Sequence, residues 1–404
     1  MKNFNSNAVQ YLFLVSCLVL CVSCKDTSLE EGQKLRDKAS NYLELNQNDS
    51  VLHYANEALI LFEDNNDSLG IAESLSLAAR ASALSGDFDD ALKFGERGSL
   101  LSKQIENFGL EYKLNSTLSW AYFVLKKDFF EILDHLERQL FVVDQLDDDQ
   151  AKASVYNNYG YDTTVSGTVP LDSVITYMTF ANNYYAKSEN NNGRWYTLMN
   201  LTWQYRLKND FAQSEHNGRL SVAQAKQDED RHAIIEANTN LGETLLYQNK
   251  MQEATSYYQE ALKWADRKED RDRYVFDVYY SRFLWNIGEH TLAIEAVKGA
   301  IQFLETDEVF YEMLGRAFLT QYCFETGDFE EVRKQLAIFK NPRSNYFSFE
   351  SKVLAAISEA KILAKNNQKE EALLLLSALR DRSEILGAKL LLNEIAKAYQ
   401  ELSD

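Results

Sequence analysis

The sequence predicts an all-α chain: a solenoid of about nine helical hairpins, closed by one further C-terminal helix. Two patterns carry that expectation. A small or β-branched residue recurs at Val51, Ala91, Ile132, Val174, Ser214, Ala254, Ala293, Val332 and Ala372, in steps of 40, 41, 42, 40, 40, 39, 39 and 40. Five residues ahead of six of these marks a polar turn opens: Gly86-Asp87-Phe88, Lys127-Asp128-Phe129, Asn209-Asp210-Phe211, Asn249-Lys250-Met251, Gly288-Glu289-His290 and Gly327-Asp328-Phe329. Gly or Asn there accepts the left-handed backbone that ends a helix, and Asp can cap the next one. A single hairpin cannot bury its apolar face alone, so a fixed period of this length implies stacked neighbours.

In chain order, the apolar spacing predicts helices over 32–45 and 50–62, 68–84 and 89–103, and 110–125 and 129–145. The acidic run Asp147-Asp148-Asp149 reads as a solvated turn and helix cap, since a calcium loop would need alternating ligands and a glycine. The fourth hairpin is the least regular. Residues 150–161 read as helix, 162–169 as a longer β-branched loop, and Pro170 opens the helix 171–188. The fifth and sixth hairpins read as 193–207 with 211–227 and 230–247 with 251–265. Asp266 to Arg273 alternates charge signs and reads as solvated surface. Then come 274–286 with 291–304, 308–325 with 329–339, a break at Asn341-Pro342, and 347–365 with 370–386. Residues 389–402 form a last amphipathic helix whose polar face suits an end cap. With two prolines in the chain, residues 32–404 read as one continuous domain.

The stretch Leu241-Gly242, then Ala254, Tyr258 and Ala261, resembles the tetratricopeptide repeat, which has a Leu-Gly pair, a small residue twelve positions later, then an aromatic residue and Ala. The period near 40 is similar to the long-helix variants found in transcription-activator and peptide-sensing repeat proteins. The resemblance covers about residues 30–400 and implies a right-handed α-α superhelix whose first helices line a concave groove.

The first two dozen residues stand outside the repeat. Lys2 is followed by an apolar run from Tyr11 to Val22, too short to span a bilayer. It ends Cys21-Val22-Ser23-Cys24 before turning polar, which resembles a bacterial lipoprotein signal with Cys24 as the lipidated residue; Cys17 is the alternative. Residues 1–23 are then a signal peptide and 24–31 a short tether, and the location expected is the cell envelope, lipid-anchored at an outer-membrane face. The formal net charge of −19 disfavours nucleic acid and anionic lipid surfaces and favours neutral or basic partners. Cys323, the one cysteine beyond the signal region, reads as packing, and no disulfide framework exists.

For a ligand, the groove is the expected place. Asn158, Asn200 and Asn240 stand two residues before the glycine position and would form a ladder of carboxamides able to clamp an extended peptide backbone, as the resemblance implies. Tyr161, Trp203, Glu243 and Arg282, one residue beyond that position, are placed to supply pockets and charge. The competing reading of both sets is structural: hydrogen bonds between helices and partly buried packing. No catalytic motif, metal-ligand spacing or phosphate loop is present, so neither enzyme activity nor a cofactor is expected. The leading function is a lipid-anchored, exported scaffold that binds a peptide or protein segment. The alternatives are a surface glycan- or nutrient-binding lipoprotein and a sensory module of a signalling system.

Overall fold

The structure, a computed structural model, describes residues 27–125, 129–188, 193–265, 270–304, 309–340 and 348–403. Cys24 and the rest of the expected signal segment lie outside these residues, as do Lys127, Asp128 and the Asn341-Pro342 break. Among the described residues the chain is entirely helical, with nineteen helices: α1 over 27–44, then α2 Asn48–Asn65, α3 Ser68–Leu84, α4 Phe88–Gln104, α5 Phe108–Val124, α6 Phe129–Val143, α7 Asp149–Ser166, α8 Leu171–Lys187, α9 Arg194–Leu207 and α10 Phe211–Gln227. They continue as α11 Arg231–Tyr247, α12 Met251–Trp264, α13 Arg271–Asn286, α14 His290–Leu304, α15 Val309–Thr326, α16 Phe329–Phe339, α17 Phe349–Lys365, α18 Lys369–Leu386 and α19 Lys389–Ser403. Helix α1 begins inside the expected tether.

The period seen in the sequence is the packing period. Val51, Ala91, Val174, Ser214, Ala254, Ala293, Val332 and Ala372 are each 0% exposed, and Ile132 is 1% exposed. These residues sit early in the second helix of each hairpin, where it crosses the first, and a larger side chain there would hold the two apart. The turns close as their residues dictate. Gly86, Gly288 and Gly327 carry positive φ, as do Asn209 and Asn249, so each helix ends on a left-handed residue. Asp87, Asp210 and Asp328 then accept hydrogen bonds from Asp90, Gln213 and Glu331 backbone N–H groups to start the next helix. The aromatic after the turn plugs the hairpin base: Phe211 stacks on Tyr247 and Phe329 meets Phe324 edge-on.

Gly242 shows why a glycine stands at the hairpin crossing. A Cβ there would lie 3.1 Å from the Tyr258 ring, which is fully buried, so the two helices approach through the missing side chain.

One stretch departs from expectation. Residues 162–166, read from sequence as loop, continue α7 to Ser166. Two threonines that lower helix propensity are accommodated because their hydroxyls bond back into the helix: Thr163 Oγ1 donates to the Tyr159 carbonyl at 2.6 Å and Thr164 Oγ1 to that of Gly160 at 2.8 Å. The helix stops where Gly167 takes a left-handed φ of 63°.

Among the described residues the helices gather into two compact units that part between Asp147 and Asp148. The division falls at the acidic turn, and Asp148 caps α7 by accepting from the Ala151 N–H. In unit 1, α3 packs on α5, and α1 joins them along one groove. In unit 2 the first helices of the hairpins (α7, α9, α11, α13, α15 and α17) pack side by side, and the row meets itself: α17 packs on α7, and α19 on α9. Val165, Leu171 and Trp203 consequently share a core with Val353, Leu376, Leu390 and Leu391. Helix α19 buries Leu390, Leu391, Ile395 and Ala398 and turns Asn393, Lys397 and Gln400 to solvent.

Candidate functional site

The inner helices of unit 2 carry many buried polar residues, and several of these bond one another. Asn200 is 1% exposed, and its Nδ2 donates to Asn157 Oδ1 at 3.2 Å. Asn158, the residue the ladder called for, is exposed and accepts from Asn157 Nδ2 at 3.5 Å. One step along a helix turns a side chain through about 100°, enough to swap which of two adjacent asparagines faces the neighbouring helix. Asn240 is 9% exposed and its Oδ1 accepts from Arg206 at 3.0 Å; the same guanidinium reaches the Thr244 hydroxyl at 3.3 Å. Asn200 and Asn240 thus tie α9 to α7 and α11 to α9.

The second predicted set is also drawn inward. Glu243 accepts from Arg282 at 2.6 Å and from the Tyr258 hydroxyl at 3.0 Å. The Arg282 guanidinium lies 4.6 Å from the Tyr247 ring centroid and 5.0 Å from that of Phe318. Trp203 Nε1 donates to Glu350 Oε2 at 2.9 Å, joining α9 to α17 across 147 residues of sequence. Tyr161 faces Tyr196, Trp203 and Phe310, with ring centroids 6.2, 6.3 and 6.3 Å away. The structure brings Tyr161 and Trp203 together and Glu243 and Arg282 together. The asparagines are not aligned as a ladder.

Sequence reasoning missed Asn157, Arg206, Glu236 and Glu350. Arg206 and Glu236 carried a signal: each is a charge inside an otherwise apolar helix segment, which calls for a buried partner. Glu236 is 6% exposed; His232 Nε2 and Arg271 stand 3.6 and 3.7 Å from its Oε1, and the Tyr311 hydroxyl donates to it at 3.4 Å. Burial raises its carboxyl, partly offset by His232 and Arg271. His232 is itself raised, chiefly by its hydrogen bond to Asp272, and that contact lowers Asp272.

Asp162 contrasts with Glu236. It is half-buried on α7, no hydrogen bond or ion pair reaches its carboxylate among the described residues, and burial pushes it up to about 7. The sign of its effect on stability follows. Above the ordinary carboxylate range the unfolded chain has lost this proton while the folded chain keeps it, so the contribution falls as pH rises and is gone above about 7. His232, raised in the fold, acts in the same direction around its own titration. Asp162→Asn should therefore flatten, without abolishing, the loss of urea stability between pH 5 and pH 8; parallel curves for variant and parent would refute the assignment.

Unit 1 carries the open surface. Its first helices α1, α3 and α5 line a groove of about 710 Å³. Apolar Leu43, Leu77 and Leu110 alternate there with Ser40, Ser76 and Ser116. Arg36 is held by Glu73 and by Asp37. Arg80 and Lys113 are exposed and have no carboxylate partner among the described residues; Arg80 lies 5.4 Å from the Trp120 ring centroid. Three cations against two acids leave a locally positive strip on a chain of net charge −19. Net charge averages over the whole surface and does not reveal this local strip. Among the described residues there is no cluster of three metal-ligating side chains, and no helix is long and apolar enough to cross a membrane.

No protein-family model and no curated protein matches the chain. Solved structures do. NprR in complex with its cognate peptide NprX superposes with a TM-score of 0.61 at 12% identity, covering 87% of this chain and 98% of that one. A Rap protein complexed with competence and sporulation factor gives 0.59 at 15%, covering 93% and 99%. Aspartyl phosphate phosphatase F from Bacillus subtilis gives 0.53 at 12%, covering 89% and 95%. The class of the chain follows from these likenesses and the hairpin geometry: it is an all-α protein with a tetratricopeptide-like helical-repeat fold.

Proposed function

We propose that the chain is a noncatalytic scaffold that binds an extended peptide segment in the groove of unit 1, and that it is exported and lipid-anchored at Cys24. The open, polar-edged surface across α1, α3 and α5, with Arg80 and Lys113 unpaired, is the observation that carries the peptide reading. Three helices spaced by about 10 Å offer a track of about 20 Å, which an extended chain of about six residues spans. Leucines along the track supply apolar contact, serines meet backbone groups, and the two free cations favour an acidic or neutral segment. NprR and a Rap protein, similar in fold, are described as bound to a peptide and to competence and sporulation factor. The anchor rests on the run Tyr11 to Val22 and the box ending at Cys24.

An array of six- to ten-residue peptides, probed with the protein lacking residues 1–23, tests the groove. Binders should be acidic or neutral, weaken with salt, and lose about tenfold or more in affinity when Arg80 and Lys113 are both changed to Glu. Binders indifferent to that double change, or an array without binders, would remove the groove from consideration. Incorporation of labelled fatty acid into the full chain in a bacterial host, lost on Cys24→Ala, checks the anchor separately.

A further inference from the structure

The peptide reading leaves one edge of unit 1 without a task, although it carries a regular apolar stripe. Nine residues past the crossing marks Val51, Ala91 and Ile132 stand Ile60, Leu100 and Phe141. They are 58, 62 and 52% exposed, where the solvent side of a helix normally carries polar residues. The same position in unit 2 holds Asn183, Ala223, Lys263, Gln302 and Asp381. Large apolar residues at this position are thus confined to unit 1, where they recur with its hairpins.

All three lie in the last two turns of their helices, α2, α4 and α6. Ile60 and Glu63 stand one turn apart on α2, Arg97 and Leu100 one turn apart on α4, and the Glu63–Arg97 ion pair ties the two helices between them. Phe141 meets Phe108, the first residue of α5, with ring centroids 6.5 Å apart. Leu69, the second residue of α3 and 43% exposed, adds to the same edge. Helix α1 starts there too: Asn65 Nδ2, at the end of α2, donates to Ser28 Oγ at 2.9 Å. What the edge faces follows from the lipid anchor proposed at Cys24, on which this inference rests. Cys24 precedes α1 by three residues, a reach of at most about 10 Å. A lipid on Cys24 therefore brings this edge of unit 1 to the membrane surface. Exposed Leu45 and Leu84, at the far ends of α1 and α3, are about 27 Å away along the helices. The net charge of −19 makes a zwitterionic surface the fitting one.

We propose that this edge of unit 1 seats itself in a zwitterionic lipid surface, with Ile60, Leu69, Leu100 and Phe141 at the boundary between headgroups and acyl chains. A single lipid holds a protein loosely, and a second, apolar contact fixes its orientation. The chain from Cys24 onward keeps every described residue, and its Cys24 thiol can be coupled to a maleimide-bearing lipid in phosphatidylcholine vesicles; Cys323 is buried. Coupling in this way removes any dependence on lipidation by a cell. With acyl chains brominated near the headgroup, Leu100→Trp should lose about half of the added indole emission, and Leu45→Trp at the opposite edge should lose none. Ile60→Ser with Phe141→Ser should abolish the quenching at Leu100→Trp. The substituted side chains are exposed, and circular dichroism confirms that each variant is folded. No quenching at Leu100→Trp, equal quenching at both edges, or quenching that survives the Ile60 and Phe141 changes overturns the proposal. So does a dimer in sedimentation that those two changes dissolve, which would assign the edge to a second copy of the chain. Failure to incorporate fatty acid in the host bears on the anchor alone, and none of these results bears on the peptide array.

Discussion

Glu243→Ala should destabilise unit 2 by about 3–5 kcal/mol, the range seen when one member of a buried ion pair is removed. Two side chains depend on this carboxylate. Its own exposure is 2%, and it accepts from Arg282 at 2.6 Å and from Tyr258, which is 0% exposed, at 3.0 Å. Removal leaves a guanidinium between Tyr247 and Phe318 with no counter-charge, and a phenol in the core with no acceptor. Both losses exceed the worth of the pair itself, because the stranded groups cannot be resolvated. Urea unfolding followed by tryptophan fluorescence reads the change in unit 2, which holds Trp195, Trp203, Trp264 and Trp285. Glu243→Gln, which keeps an acceptor for Tyr258, should fall between parent and alanine variant. The double change Glu243→Leu with Arg282→Met should recover much of the loss, as buried pairs replaced together by apolar groups often do. A loss under about 1 kcal/mol for Glu243→Ala would mean that water reaches the pair.

Trp203→Ala is the second large effect, also about 3–5 kcal/mol, the usual range for deleting a buried indole. Trp203 is 6% exposed and packs where the first and last hairpins of unit 2 share a core. Its N–H donates to Glu350 at 2.9 Å, so the substitution removes both the packing and the polar tie between α9 and α17. Trp203→Phe separates the two: it keeps most of the ring contact and strands the carboxylate, at about 1–3 kcal/mol. Hydrogen exchange supplies the structural readout. Amides of α17, Phe349–Lys365, should lose protection in Trp203→Ala while those of α11 and α12 keep theirs. Unchanged exchange in α17 would show that the row of helices stays joined without this residue.

The repeat was legible because it rests on local chemistry. Small or β-branched residues at each crossing recur about every 40 residues, several turns add a left-handed Gly or Asn and three of them an Asp cap, and the buried marks from Val51 to Ala372 follow that count. The extended α7 was misread because the hydroxyls of Thr163 and Thr164 are satisfied inside the helix, and β-branched residues near a Gly look like a loop in sequence alone. The site residues were read by position within one repeat, a rule that holds only if the inner face stays open. In unit 2 it does not, since Glu350 and Trp203 meet from opposite ends of the unit and period counting contains no term for such contacts. Asn157 and Asn158 show the finer limit: a one-residue choice of register decides which carboxamide reaches Asn200. In unit 1 the groove was open to prediction but unmarked, because Arg80 and Lys113 sit at positions with no asparagine to draw notice.

The meeting of α17 with α7 has a consequence for how this chain can vary. An open-ended stack of hairpins tolerates duplication or loss of a module, since each touches only its neighbours. Once the final module is seated on the opening one, inserting or deleting about 40 residues would displace that seat by a whole hairpin. The module number in unit 2 is fixed by geometry, and change there is confined to substitution.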